Sequence, residues 1–205
     1  MADNAGKLLI ATRNAGKFKE LSALLSGCPF DLVSLADVGI GKEVPETGST
    51  FAENATIKAT AYAGESGMLT LADDSGLEVE ALGGEPGPLS SRYAGEGATD
   101  AQRIAFLLRK LENVPESDWD ARFRCVIALA GPGRSVELYS GECRGLIVAG
   151  SRGRGGFGYD PVFLLPEAGK TMAELSPEEK NLISHRSAAA RKAVEALRRM
   201  AAALR

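Results

Sequence analysis

Two adjacent carboxylates, Asp73 and Asp74, follow a short apolar run that is typical of a buried strand. Neighbouring acids repel each other and lose hydration when they are buried. A divalent cation would stabilise them, and Mg²⁺ prefers carboxylate oxygens as ligands. Because Ser75 and Gly76 come next and both favour turns, a plain turn at the end of the strand is an equally good interpretation of this segment.

A second segment of interest runs from Thr12 to Lys17, where an apolar strand pattern gives way to a helical one. Free backbone N–H groups at a helix start, the helix dipole and the Lys17 ammonium group together favour a bound phosphate. The glycine and lysine spacing of a P-loop is absent from this segment. A turn at Asn14 followed by a solvated lysine is the alternative interpretation.

Two further carboxylates, Glu46 and Glu53, precede Lys58 in the sequence. Glu53 and Lys58 lie on a predicted helix that begins near Thr50, and Glu46 lies in the loop before it. A glutamate in a loop, such as Glu46, is usually solvated. Glu53 and Lys58 could simply form a structural ion pair along the helix.

The segment Gly155–Pro161 places two aromatic residues, Phe157 and Tyr159, among glycines. Glycine lets a backbone approach a flat ligand closely, and aromatic faces stack on nucleic bases. A turn whose aromatic rings fill the core explains the pattern equally well.

The last group of polar residues comprises Lys180, His185 and Arg186, and His185 is the single histidine of the chain. On one continuous helix Lys180 and His185 would face different directions. A shared site therefore requires a break near Ser184, which is a good N-cap for a new helix. His185 and Arg186 would then lie at a positive helix start, suited to an anion or a carbonyl oxygen. The combined segments describe a site for a nucleoside triphosphate and a metal ion.

The elements that must position these residues alternate between strands and helices. The patterns predict four strands, a hairpin and five helical segments, the last two meeting near Ser184. The strands span 8–11, 30–35, 68–72 and 162–165, the hairpin 122–130 and 135–147, and the helices begin near residues 18, 50, 100, 177 and 185. Interleaved strands and helices with an inserted hairpin indicate a mixed twisted α/β sheet with flanking helices. The length of 205 residues favours one domain, 1–205, with two lobes.

Composition limits the classes of function. The net charge of −3 argues against a general nucleic-acid or membrane-surface binder, and no apolar run reaches membrane-spanning length. The three cysteines, Cys28, Cys125 and Cys143, are far apart in sequence, which argues against a zinc site and a disulfide scaffold. A polar start, Met1 to Asn4, lacks the apolar stretch of a signal peptide. We therefore expect a cytoplasmic location.

Five motifs together resemble the inosine triphosphate pyrophosphatases, the family that hydrolyses non-standard purine nucleoside triphosphates. They occur in the family's order over nearly the whole chain. They are Ala11 to Lys17, Glu46 to Ala55, Ala72 to Leu77, Gly156 to Pro161 and Ser184 to Arg186.

The resemblance implies two lobes around a nucleotide-binding cleft and a homodimer. It also implies Mg²⁺-dependent hydrolysis of ITP, dITP and XTP to the monophosphate and pyrophosphate, which keeps deaminated purines out of DNA and RNA. Asp74 becomes the proton acceptor and a metal ligand, and Glu46 a second metal carboxylate, for which Glu43 is the competing residue. The implied substrate-binding residues are Thr12, Arg13, Asn14, Ala15, Gly16, Lys17, Lys58, Ser75, Phe157, Gly158, Tyr159, Asp160, Lys180, His185 and Arg186.

Two other functions remain open at this stage. A related pyrophosphatase could act on pyrimidine or modified nucleotides, and a regulatory module could bind nucleotides without catalysis. The intact acid pair and the set of lysines favour catalysis.

Overall fold

The structure is a computed structural model, and it describes residues 6–203. The predicted polar start, Met1 to Asn4, lies outside the described residues. The strands are β1 Lys7–Ile10, β2 Asp31–Ser34, β3 Leu69–Val79, β4 Asp120–Ala130, β5 Glu137–Ile147, β6 Phe163–Leu165 and β7 Lys170–Thr171. The helices are α1 Ala15–Leu24, α2 Phe51–Ser66, α3 Asp100–Leu111, α4 Pro177–Ile183 and α5 His185–Ala202.

The seven strands form one mixed sheet in the order β2-β1-β3-β4-β5-β6-β7. β1 runs parallel to both β2 and β3, with Ile10 opposite Leu71, whereas β6 is antiparallel to β5 and β7. β4 and β5 are neighbours joined by a connection too short for a parallel crossover, as expected for the predicted hairpin. The predicted mixed α/β fold is confirmed.

The chain forms two compact units. Unit 1 contains the chain up to Asp74, Cys125–Gly141 and the chain from Arg186, and unit 2 contains Ser75–Arg124 and Glu142–His185. That these units act as a single domain over 1–205 stays a prediction.

Unit 1 has helices on both faces of its strands. Because strand side chains alternate between faces, Leu8 and Ile10 join a core with Leu21 of α1 and Ala193 of α5. Leu9 and Ala11 instead join a second core, to which α2 contributes. The residues from α2 in that core include Phe51, Ala55 and Ala59. The sheet therefore separates residues that contact α1 and α5 from residues that contact α2.

Unit 2 has its own core, built around α3. Thr99 caps this helix through a reciprocal capping box with Gln102. Its apolar face contributes Ile104, Leu107 and Leu111 to a cluster that also contains Phe163 of β6. α4 begins as predicted, with Ser176 as its N-cap in a capping box and proline at the first turn.

The acid pair lies inside a strand, so the predicted turn after Asp74 is wrong. β3 continues without interruption through Ser75 and Gly76 to Val79. Gly76 is needed for packing, because a Cβ atom at this position would collide with the Ser90 hydroxyl and with the Gly87 carbonyl oxygen, 2.6 Å away. The Ser–Gly pair is therefore explained by a close approach to the strand.

Among residues 6–203, no helix is both long enough and apolar enough to cross a bilayer.

Candidate active site

The turn between β1 and α1 is organised by its own side chains. Asn14 caps α1, its Oδ1 atom accepting the Lys17 backbone N–H at 2.9 Å, and Thr12 Oγ1 accepts the Asn14 N–H at 3.2 Å. The Arg13 guanidinium donates to the Gly41 carbonyl oxygen. The side chain of Lys17 is thereby directed from the first turn of α1 toward β3.

Asp73 is buried among positive charges. Its Oδ2 atom lies 3.2 Å from Lys17 Nζ and 3.3 Å from Arg186 Nη2, and Arg186 Nη1 also lies 2.5 Å from Glu20. Burial alone would raise the pKa of Asp73, but the charges of Lys17, Arg186 and Lys58 hold this pKa well below its usual range. Asp73 is therefore a permanent negative charge that fixes the Lys17 ammonium group.

Asp74 points to the other face of the sheet, as strand alternation requires. Its Oδ2 atom accepts from Asn54 Nδ2 at 3.2 Å, and its Oδ1 atom lies 3.4 Å from Lys58 Nζ. Burial raises the pKa of Asp74; Lys58 and Lys17 oppose this effect, whereas Glu46 and Asp73 add to it, and the net shift is upward. Asp74 consequently has more affinity for a proton than an ordinary aspartate.

Lys58 joins two carboxylates. Its ammonium lies 2.5 Å from Glu46 Oε1 as well as 3.4 Å from Asp74 Oδ1. Burial alone would lower its pKa, yet Asp74, Asp73 and Glu46 raise that pKa overall. The suggested Glu53–Lys58 pair is wrong, because Glu53 instead accepts from the backbone and hydroxyl of Ser49 as part of a helix cap.

The expected Mg²⁺ site depends on which carboxylates lie close together. Among the described residues, no three His, Cys, Asp or Glu side chains form a group that could hold a metal ion. Mg²⁺ is commonly bound by one or two carboxylates together with substrate phosphates and water. Glu46 and Asp74 fit that pattern, because their oxygens converge on one cation, the Lys58 ammonium. Glu43 is exposed and Glu46 is half-buried, which favours Glu46 for this role.

Unit 2 contributes the glycine-aromatic loop. The two aromatic residues differ: Tyr159 is buried in the unit 2 core and donates from its hydroxyl to the Ser90 carbonyl at 2.9 Å, whereas Phe157 is half-buried. The Asp160 carboxylate accepts the Phe157 N–H at 2.9 Å. Gly156 has φ +70°, and a Cβ atom there would collide with that carboxylate, so only glycine fits.

Lys180 lies against this loop. Its ammonium is 2.7 Å from Asp160 Oδ2 and 4.9 Å from the centre of the Phe157 ring, a cation–π contact. α4 ends at Ile183 with Ser184 as its C-cap, and α5 begins at His185, so the predicted break is confirmed. The buried His185 ring stacks on Phe123, with ring centres 4.9 Å apart.

Comparison with known proteins identifies the family. The family model described as Ham1 family matches residues 8–196. The chain is 54% identical over 183 residues to a protein from Geobacillus kaustophilus named dITP/XTP pyrophosphatase, covering 89% of this chain and 90% of that protein. A protein of the same name from Desulforamulus reducens is 51% identical over 194 residues, covering 95% and 96% of the two chains.

The chain belongs to the Ham1 family. The solved structure of a Ham1 protein from Coxiella burnetii is 42% identical and superposes with a TM-score of 0.85, covering 93% of this chain and 98% of that one. The Staphylococcus aureus Ham1 protein has a TM-score of 0.84 at 42% identity, covering 93% and 97%. The resemblance found in the sequence is therefore confirmed.

In this member of the Ham1 family the predicted residues fall into two groups. Unit 1 brings Glu46, Lys58 and Asp74 together and places Lys17 beside Asp73, and unit 2 brings Phe157, Asp160 and Lys180 together. The contact of Arg13 is with a loop carbonyl, and Ser75 lies half-buried on β3. The substrate contacts of all the predicted residues stay predictions, including those of Ala15, Gly16, Gly158 and His185.

Besides Asp73 and Ser90, four other residues contact predicted site residues without having been predicted themselves. Asn54 holds Asp74, Glu20 pairs with Arg186, Phe123 stacks on His185, and Asp100 accepts the Gly158 N–H. The sequence did offer a signal for Asn54, because a polar residue there interrupts the apolar face of a predicted helix. In the structure this residue is buried. The contacts of the other three depend on distant packing, which sequence spacing does not reveal.

Proposed function

We propose that this Ham1 protein hydrolyses ITP, dITP and XTP to the nucleoside monophosphate and pyrophosphate, with Mg²⁺. One observation carries the proposal: Lys58 lies within 3.4 Å of both Glu46 and Asp74, so two carboxylates and a lysine share one point in unit 1. Phosphoryl transfer needs mainly positioning and charge stabilisation, and such a group supplies both.

Asp74 acts as the proton acceptor in this scheme. Its raised pKa favours uptake of a proton from the attacking water, and Asn54 fixes one of its oxygens. Lys17 and Lys58 stabilise the negative charge that builds on pyrophosphate as the α–β linkage breaks. Asp73 maintains the position of Lys17.

Glu46 and Asp74 are the residues that would hold Mg²⁺. When bound, the ion supplies charge neutralisation at phosphate oxygens and a more acidic water molecule.

Unit 2 recognises the base. The half-buried ring of Phe157 offers a stacking surface to a purine, and Lys180 offers a hydrogen-bond donor beside it. Hypoxanthine and xanthine carry a 6-oxo acceptor, whereas adenine carries a 6-amino donor, so a donor at this point rejects adenine. Guanine shares the 6-oxo group, and its rejection must come from its 2-amino group.

The cellular role of this hydrolysis would be to remove deaminated purine nucleotides and so keep them out of DNA and RNA.

We place the enzyme in the cytoplasm, because Cys28, Cys125 and Cys143 are free thiols, which fits a reducing compartment. A homodimer follows from the sequence resemblance, and sedimentation velocity tests it.

The deciding experiment is product analysis with a nucleotide panel. ITP, dITP, XTP, dUTP, methylated NTPs, ATP and GTP are incubated with the protein and Mg²⁺, and products are separated by ion-exchange chromatography. We expect IMP and pyrophosphate from ITP, with little ATP turnover. IDP and orthophosphate would contradict the proposed linkage, preference for dUTP or methylated nucleotides would favour a different substrate class, and no turnover would favour a regulatory module.

A further inference from the structure

The glycine-aromatic loop of unit 2 is held by a residue from a distant part of the sequence. The Gly158 N–H donates to the Asp100 Oδ2 atom at 2.7 Å. Asp100 is the first residue of α3 and lies at the end of the loop that follows Tyr93. A carboxylate that accepts a backbone N–H forms a stronger hydrogen bond than a neutral acceptor.

The Asp100 carboxylate is itself fixed in place. Its Oδ1 atom pairs with the Arg103 guanidinium one turn further along α3. Arg103 also donates to the carbonyl oxygens of Ser91, at 2.9 Å, and Ala98. The Arg103 side chain is only 18% exposed. Because Arg103 is tied to two backbone positions, it restrains the Asp100 carboxylate, whose Oδ2 atom accepts the Gly158 N–H.

The contact fixes the backbone on one side of Phe157. Gly158 has φ +64°, and its N–H belongs to the peptide that follows Phe157. The peptide that precedes Phe157 is fixed by the bond from the Phe157 N–H to Asp160. With both flanking peptides restrained, the direction of the Phe157 Cα–Cβ bond is fixed, and the ring lies against the Lys180 ammonium.

We propose that Asp100 is a positioning residue for base recognition: it holds the Gly158 peptide so that the Phe157 ring stands ready to stack on the purine. This inference rests on the proposed function. It adds a residue that would touch neither the base nor the phosphates and that acts through the loop.

The test compares Asp100→Ala, Asp100→Ser, Asp100→Asn and Thr99→Ala with the wild type. Serine suits a helix start but is too short to reach the Gly158 N–H, whereas asparagine retains an acceptor oxygen. Thr99→Ala removes the α3 cap and leaves the loop contact, so it separates helix stability from positioning. Steady-state kinetics with ITP and Mg²⁺, ITP binding by calorimetry in EDTA, and the thermal midpoint are measured for each protein.

We expect Asp100→Ala and Asp100→Ser to raise KM and the ITP dissociation constant about ten-fold, with kcat changed far less, because a charged hydrogen bond contributes roughly this factor. Asp100→Asn should recover part of the affinity, because its amide oxygen still accepts the Gly158 N–H but carries no charge. Thr99→Ala should lower the thermal midpoint and keep the wild-type KM.

Two outcomes would overturn the inference: wild-type ITP affinity in Asp100→Ser, or an equal loss of affinity in Thr99→Ala. Failure of the proposed function is distinguishable, because the wild-type protein itself would then release no pyrophosphate from ITP.

Discussion

Asp73 and Asp74 are sequence neighbours whose pKa values are displaced in opposite directions, that of Asp73 downward and that of Asp74 upward. Strand alternation sends one carboxylate toward α1 and α5 and the other toward α2, so each experiences different charges. Carboxylates with diverging pKa values are typical of sites in which one group exchanges protons and the other stays ionised. In the proposed mechanism, this difference assigns the proton to Asp74 and a fixed negative charge to Asp73.

Asp74→Asn should abolish most turnover while the fold survives. The change retains the shape of the side chain but removes the base, and loss of a general base typically lowers the rate by about 10²–10⁴. Pyrophosphate release from ITP measures kcat, and the thermal midpoint reports the fold. Glu195→Gln, at an exposed position on α5, is the matched control and should behave as wild type. A kcat near the wild-type value in Asp74→Asn would remove this residue from the mechanism.

Removing the charge of Lys58 and removing the charge of Glu46 should shift the pKa of Asp74 in opposite directions. After burial, Lys58 is the largest influence and lowers this pKa, while Glu46 raises it. Glu46→Gln should therefore lower the pKa of Asp74, and Lys58→Gln should raise it. Carboxyl ¹³C NMR titration of the metal-free protein gives the values directly. If both variants shift the pKa in the same direction, charge is not the cause.

Asp73→Asn should destabilise the protein in a pH-dependent manner. Removing one partner of a buried ion pair costs about 3–5 kcal/mol of unfolding free energy at neutral pH. Because the folded pKa is lowered, the contribution of Asp73 is complete above the ordinary pKa of 3.8 and is lost as pH falls toward the folded pKa. The difference between wild type and variant should hence shrink below pH 3.8.

Urea unfolding at pH 7 and pH 3 measures this difference. Asp31→Asn, an exposed aspartate on β2, serves as control and should stay within about 0.5 kcal/mol of wild type at neutral pH. A gap between Asp73→Asn and wild type that widens at pH 3 would contradict the assigned pKa direction.

Metal removal should stop the reaction, and Glu46 should set the metal requirement. We expect EDTA to abolish pyrophosphate release and added Mg²⁺ to restore it. Glu46→Gln should raise the Mg²⁺ concentration for half-maximal activity by about ten-fold or more, since it removes one charged ligand. Glu43→Gln should leave that concentration unchanged. The reverse result would transfer the role to Glu43, and full activity in EDTA would exclude metal dependence.

Much of the fold and several contacts could be predicted because they depend on local patterns. The break at Ser184, the start of α2 after Thr50 and the turn at Asn14 all involve capping residues whose partners lie within one helical turn. The lysines and carboxylates of the candidate site were identified through the motifs that resemble the family. Helix boundaries could therefore be predicted where neighbouring capping residues determine them.

Predictions from the sequence were wrong or incomplete mainly where residues far apart in the sequence determine the local structure. Asp73 to Gly76 has the composition of a turn, but neighbouring strands and cationic side chains hold it in β3. Tyr159 and Phe157 look alike in sequence, yet only Tyr159 reaches Ser90 and enters the core. Glu53 is a local exception, because it accepts from Ser49 in the cap of α2, while Lys58 pairs with Glu46 and Asp74.

The thiol of Cys125 is buried, and its Sγ atom lies 3.9 Å from Asp73 Oδ2. Burial, aided by the Asp73 charge, raises its pKa to about 12. Alkylating agents and peroxide react with thiolate, and almost none is present here at neutral pH. The Cys125 thiol beside the Asp73 ion pairs is therefore a poor target for these reagents at neutral pH, and oxidation or alkylation at this position should not disturb those ion pairs.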